Sequence, residues 1–318
     1  MYNGYITDIE GIKVGHADNI EGMTGCSVII CEKGATAGVD VRGSAPGTRE
    51  TDLLKSEKLV DKVHAVILSG GSAFGLDAAS GVMKYLEDKN VGFDVGVTNV
   101  PIVTSAVIFD LNIGNYKIRP NFDMGYRACL NAKENENRQG NIGVGLGATV
   151  GKILGPEKAM KSGLGSASIK LGDLIVSALV CVNSYGDVYD YKTNELLAGA
   201  IDENDNLINS YEYMKKYRVS SGFPNKNTTI GVIATNGVLT KPQANKVSQM
   251  AQNGLARSIN PIHTMFDGDS VFTLATGKVK EDISLIGTLA SEVMSMAISN
   301  GVKSANRYEN ILSYKDIK

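Results

Sequence analysis

Asn227 and Thr228 stand where a long polar stretch gives way to the β-prone run Thr229-Ile230-Gly231-Val232-Ile233-Ala234-Thr235. A threonine hydroxyl is a poor nucleophile near neutral pH and needs an adjacent base. An α-amino group titrates at about 7.7–8.0, close to the optimum for a general base at working pH. A cut between Asn227 and Thr228 would therefore give one residue both nucleophile and base, held at the head of a buried strand. Asn-Thr is a common dipeptide, and its ordinary role is a turn leading into a strand.

Three further groups have the right chemistry for the same task. In His263-Thr264-Met265-Phe266-Asp267-Gly268-Asp269 a glycine separates two carboxylates and lets the backbone bend so that both can point to one locus. There Asp267 and Asp269 would orient the Thr228 hydroxyl and ammonium; a capped turn or weak cation site is the plainer alternative, and the ligand pattern of a calcium loop is missing. Asn183, in the polar turn after an apolar strand, would donate to the oxyanion of a tetrahedral intermediate, or simply start a turn. Lys152 follows a glycine run with apolar neighbours, which suits a buried lysine beside a charge as well as an exposed loop lysine. His16 and His263 have the chemistry of catalytic residues, but structural histidines bonded to backbone are the commoner case for each. No serine or cysteine lies in a G-x-S-x-G elbow.

The positioning elements follow from periodicity. His64 to Leu68 is a strand running into Ser69-Gly70-Gly71-Ser72, and Leu76 to Asp88 has helical spacing. Strands are expected at Ser27 to Cys31, Val103 to Asp110, Leu174 to Val182, Thr229 to Thr235 and Val271 to Thr276. Helices are expected at Lys241 to Ser258 and Ile283 to Asn300. Residues 131–140 read as an exposed loop, and 191–227 as a flexible, solvent-exposed connection. The glycine runs at 143–147 and 69–72 lack the spacing of a nucleotide loop, so close backbone packing or oxyanion donation fits them better.

Composition excludes several classes. The chain has 318 residues, 43% of them hydrophobic and 21% charged, with net charge −2. That is a globular profile without an electrostatic footprint for nucleic acid. The four cysteines form no C-x-x-C pair, and three scattered histidines make a histidine-rich metal centre unexpected. No secretory signal or membrane-length apolar run is present in the sequence, so a cytoplasmic location is expected.

Longer motifs carry a resemblance. They are Asp8-x-x-Gly11-Ile12-x-Val14-Gly15-His16, Thr24-Gly25-Cys26-Ser27-Val28, Gly38-Val39-Asp40-Val41-Arg42-Gly43 and Pro46-Gly47-Thr48-Arg49-Glu50. Later come Leu68-Ser69-Gly70-Gly71-Ser72-Ala73-Phe74-Gly75-Leu76, Val107-Ile108-Phe109-Asp110-Leu111, Gly163-Leu164-Gly165-Ser166-Ala167-Ser168 and Asn227-Thr228-Thr229-Ile230. Together they resemble the self-processing aminopeptidases and amidases: L-aminopeptidase D-esterase/amidase, β-peptidyl aminopeptidase and 6-aminohexanoate-oligomer hydrolase. Only the tail after about residue 302 carries no such motif.

The resemblance implies an α/β fold, an αββα sandwich like that of N-terminal-nucleophile hydrolases, made as one domain over 1–318 and cut into 1–227 and 228–318. It places the nucleophile on Thr228, the acidic turn on Asp267 and Asp269, the oxyanion-side amide on Asn183 and a basic partner on Lys152. It implies no cofactor or metal, a small peptide or amide substrate, and a homotetramer. Many aminopeptidase members use serine, with serine and glutamate in the acidic turn; threonine with two aspartates is the pattern of the oligoamide hydrolases. Two other functions remain open on this scaffold: acyl transfer as in the related ornithine acetyltransferases, and binding without catalysis.

Overall fold

The protein is described by a computed structural model covering residues 1–218 and 227–318. Its main sheet contains β1 (Lys13–Asn19), β2 (Thr24–Val41), β3 (Lys62–Ser69), β4 (Val103–Val107), β5 (Leu164–Leu171), β6 (Leu174–Cys181), β7 (Ile230–Gly237) and β8 (Ser270–Val279). The hydrogen-bonded order is β5-β6-β7-β8-β2-β3-β4, with Thr48–Arg49 at the far edge and β1 also paired to β2. The β7–β8 and β3–β4 pairs are parallel; the other pairs are antiparallel. The helices that cover it are α1 (Ala78–Asp88), α2 (Phe122–Leu130), α3 (Lys241–Ser258) and α4 (Ile283–Ser304).

Alternation along the strands produces the layers, because successive side chains point to opposite faces. On β6, Val176, Ala178 and Val180 pack with Ala244, Val247 and Leu255 of α3 and Ala290, Val293 and Met294 of α4. Leu179 and Cys181 of the same strand face the other way, joining Ile230 and Val232 of β7 and Val66 and Leu68 of β3. On β3, Ala65 and Ile67 then face Ala79 and Val82 of α1 and Met124 and Ala128 of α2. The chain thus stacks helix, sheet, sheet and helix around three apolar layers. β2 joins the two sheet layers. Its first half pairs with β1 and β3, its second with β8, and the register on β3 shifts between Ile30 and Ala35.

Several local expectations change. The helix α2 has no counterpart in the sequence reading, although Asn121 caps it by accepting the Met124 N–H. The strand expected to Asp110 ends at Val107, after which the chain turns to bury Asp110. The expected flexible connection is largely ordered: Leu196–Ala198 pairs with Asp187–Tyr189, and Ser210–Tyr217 is a helix. Buried Asp187 ties these pieces together by accepting from Ala200 N, Ser210 N and Ser210 Oγ. The last part of that stretch, 219–226, lies outside the described residues. The four cysteines are free and buried.

Candidate active site

Thr228 sits two residues ahead of β7, and the acidic turn immediately precedes β8, the parallel neighbour of β7. Parallel pairing brings the two strand heads side by side, with an isolated bridge between Asn227 and Asp267. Asn227 N donates to Phe266 O at 2.9 Å and Gly268 N donates to Asn227 O at 2.8 Å. The Thr228 hydroxyl donates to the same Asn227 carbonyl at 2.5 Å. The carbonyl of the Asn227–Thr228 bond is therefore held by one backbone donor and one side-chain donor. Gly268 is required for this approach: a Cβ there would stand 2.8 Å from Thr228 Oγ1 and 2.7 Å from Ala45 O.

The two carboxylates, both fully buried, are used differently. Asp269 Oδ1 accepts from Thr229 N at 2.7 Å, and Oδ2 accepts from His263 N at 3.2 Å and pairs with His263 Nδ1 at 2.8 Å. Asp267 Oδ2 accepts from Thr264 N at 2.7 Å and from Thr264 Oγ1 at 2.6 Å. Asp267 Oδ1 is buried with no hydrogen-bond partner among the described residues. Burial, and then the neighbouring Asp269 charge, push the Asp267 carboxyl above the usual range.

Asn183 closes the site from the other side. Its carbonyl accepts from Thr228 N at 2.9 Å. Its side-chain oxygen accepts from Lys152 Nζ at 2.9 Å and from Thr149 N at 3.1 Å, while Nδ2 donates to Phe109 O at 3.1 Å. One of the two amide hydrogens is thereby engaged, leaving the second for another acceptor. Lys152 is buried, and desolvation lowers its ammonium to about 7 against the opposing pull of Asp267. A cavity of about 80 Å³ opens on Thr228, walled by Ala45, Pro46, Ser72, Val107 and Phe109 among others.

The structure thus brings all five singled-out residues, Lys152, Asn183, Thr228, Asp267 and Asp269, to one locus. The glycine-rich turns serve backbone packing. At Gly145 a Cβ would stand 2.3 Å from Leu164 N, and the Gly71 N–H is occupied by Asp110 Oδ1 at 2.7 Å. The two histidines depart from the backbone-bonded reading: His16 Nδ1 meets Ser27 Oγ, and His263 meets a carboxylate. The Gly268 donor and buried Lys161 were not singled out. Lys161 donates to Leu146 O and Ala148 O at 2.8 and 2.9 Å, with its ammonium lowered to about 7 by burial. Its setting, a lysine among glycines and apolar residues, is the same signal that marks Lys152. Among the described residues no group of three or more His, Cys, Asp or Glu side chains gathers to hold a metal, and no helix is long and apolar enough to cross a membrane.

Comparison with known proteins shows the family and the fold. The profile of Peptidase family S58 matches residues 4–312, running past the point near residue 302 where the sequence motifs end. An uncharacterized aminopeptidase of Mycobacterium leprae is 38% identical over 97% of this chain and 92% of its own length. The 6-aminohexanoate-oligomer endohydrolase of Kocuria sp. is 29% identical over 93% of this chain and 85% of its own. Among solved structures, the β-aminopeptidase of Burkholderia sp. superposes with a TM-score of 0.69 at 20% identity, covering 96% of this chain and 88% of its own. The L-aminopeptidase D-Ala-esterase/amidase of Ochrobactrum anthropi, described as a variant of the Ntn hydrolase fold, superposes with a TM-score of 0.71 at 16% identity, covering 95% and 86%. These two likenesses concern the fold.

Proposed function

The chain belongs to peptidase family S58, a hydrolase of amide bonds, and from that premise we propose that it cuts itself between Asn227 and Thr228 and then works through Thr228. The observation that carries this reading is the Asn227 carbonyl, whose oxygen accepts from the Thr228 hydroxyl at 2.5 Å and from the Gly268 N–H at 2.8 Å. Attack of Oγ1 on the Asn227 carbonyl carbon forms the C–O bond and a tetrahedral intermediate, whose collapse breaks the C–N bond. The hydroxyl proton passes to the departing Thr228 nitrogen, which becomes a free amine. Gly268 N–H stabilises the oxyanion of the tetrahedral intermediate, the kind of fixed donor that counts most in acyl transfer. Water then hydrolyses the Asn227 ester, leaving residues 1–227 and 228–318 in one folded domain.

In turnover the same oxygen attacks a substrate amide while the new α-amine takes its proton and passes it to the leaving amine. The second Asn183 hydrogen is the side-chain donor for that oxyanion, and Lys152 fixes the amide by holding its oxygen. Asp269 fixes the peptide after Thr228, and the unpartnered oxygen of Asp267 is an acceptor for the ammonium form of the new terminus. The substrate is a small peptide or oligoamide.

Intact mass under denaturing conditions tests the cut. Wild-type protein should give two species matching 1–227 and 228–318, with hydrolysis of alanine 4-nitroanilide. Thr228→Ala should give one folded, uncut, inactive chain. A Thr228→Ala variant that is still cut rules this reading out.

A further inference from the structure

We propose that His263 is a positioning residue for Thr228, acting through Asp269; the inference rests on Thr228 being the nucleophile. The path is short and entirely hydrogen-bonded. The imidazole Nδ1 lies 2.8 Å from Asp269 Oδ2, and the other oxygen of the same carboxylate accepts the Thr229 N–H at 2.7 Å. That N–H belongs to the peptide joining Thr228 to β7, so the carboxylate sets the rotation of the unit that carries the reacting hydroxyl and amine. Against a carboxylate acceptor, Nδ1 is the protonated ring nitrogen.

His263 is also held in a backbone conformation that favours this grip. Its φ is +56°, in the left-handed region that few residues with a side chain adopt. That conformation turns its own N–H onto Asp269 Oδ2 as well, at 3.2 Å. One residue therefore places two donors on one carboxylate oxygen. Asp269 is further braced through its backbone carbonyl, which accepts from Arg42 N at 2.9 Å and Gly43 N at 3.2 Å. With the main chain fixed by the loop, the imidazole is the side-chain donor that fixes the carboxylate's rotation. Such a donor acts on rate, because small misplacement of a reacting group is costly in catalysis.

The left-handed backbone gives a clean test. His263→Gly keeps the +56° conformation without strain and keeps the backbone N–H, removing the imidazole alone. His263→Asn tolerates the same conformation and puts an amide N–H close to where Nδ1 stands. Two rates are read: the appearance of the 1–227 and 228–318 masses after purification of uncut protein, and kcat and KM of the mature enzyme on alanine 4-nitroanilide. His263→Gly should slow self-cutting and lower kcat by about 10- to 100-fold with KM nearly unchanged. His263→Asn should recover both to within about threefold of wild type. If His263→Gly proves too unstable to purify, His263→Ala, which also keeps the backbone N–H and carries no side-chain donor, replaces it under the same expectation.

A Gly variant that cuts and turns over like wild type overturns the proposal, as does an Asn variant no faster than Gly. Either result leaves the Thr228 reading standing so long as Thr228→Ala stays uncut and inactive. An active, cut Thr228→Ala removes both.

Discussion

At the scale of single residues, the site depends on buried polar groups whose partners are fixed before any substrate arrives. Asn183 is the clearest case: Lys152 and Thr149 take its side-chain oxygen, so the amide has a nitrogen hydrogen, not an oxygen, left for a further partner. Removing the ammonium while keeping the bulk should free that amide to rotate. Lys152→Met is therefore expected to lower kcat by about 100-fold, the order found when one oxyanion donor is lost. Lys152→Arg should rescue poorly, because a planar fork does not fit a point-charge position. Steady-state kinetics on alanine 4-nitroanilide checks both, and a Lys152→Met enzyme of wild-type kcat contradicts the role. Thr228 and the two aspartates were legible because their types suit the chemistry and their places follow strand boundaries. The contact of His263 with Asp269 was not, since nothing in a histidine six residues before Asp269 announces a left-handed backbone. The Gly268 donor was hidden for a related reason: a backbone N–H has no side-chain signature.

At the scale of elements, the parallel β7–β8 pair aligns two strand heads, and the turn between β2 and Thr48 locks them. Ala45 N donates to Asp267 O at 2.9 Å, and Arg42 and Gly43 both donate to Asp269 O. Gly43 lies so close that a Cβ would stand 2.3 Å from Asp269 N and 2.4 Å from Asp267 O, both backbone atoms without freedom to yield. Gly43→Ala should therefore displace the acidic turn at a cost of about 1–3 kcal/mol, as overpacking does. Chemical denaturation gives the stability loss, and intact mass should show slowed cutting in the same variant. Unchanged stability and cutting would mean that the turn moves freely. Continuous apolar runs placed β3 and β7 well, and helical periodicity placed α3 and α4. It missed α2, whose nine residues include a glycine and whose short apolar stripe packs locally on α1. It also took residues 191–227 for a loose connection, because the order within 191–218 comes from buried Asp187 and from scattered apolar residues such as Leu197, Ala198 and Ile201, too few and too irregularly spaced to show a period.

At the scale of the whole molecule, the two-sheet stack was legible only through long motifs resembling a known family. Strands buried on both faces read as continuous apolar runs, so their alternation is masked. The same stacking buries Lys152 and Lys161, and that has a consequence for the whole fold. Both ammonium groups are lowered to about 7, whereas an unfolded lysine titrates at about 10.4. Between pH 7 and 8.5 the unfolded chain therefore binds more protons at these positions than the folded one. Stability rises with pH wherever that holds, so each buried lysine adds a positive slope over this window and nothing well below it. The buried cysteines, raised by desolvation, work the opposite way near the top of the window, because only their unfolded forms lose protons there. A comparison of variants cancels them. On the uncut Thr228→Ala background, the stability of the Lys161 protein should gain on that of Lys161→Met as pH rises from 7 to 8.5. The gain is at most about 1.4 kcal/mol per pH unit for one proton. Urea denaturation at three or four pH values measures the gap directly. A gap that stays flat means that Lys161 keeps its charge in the folded protein, its two carbonyl partners compensating for the burial.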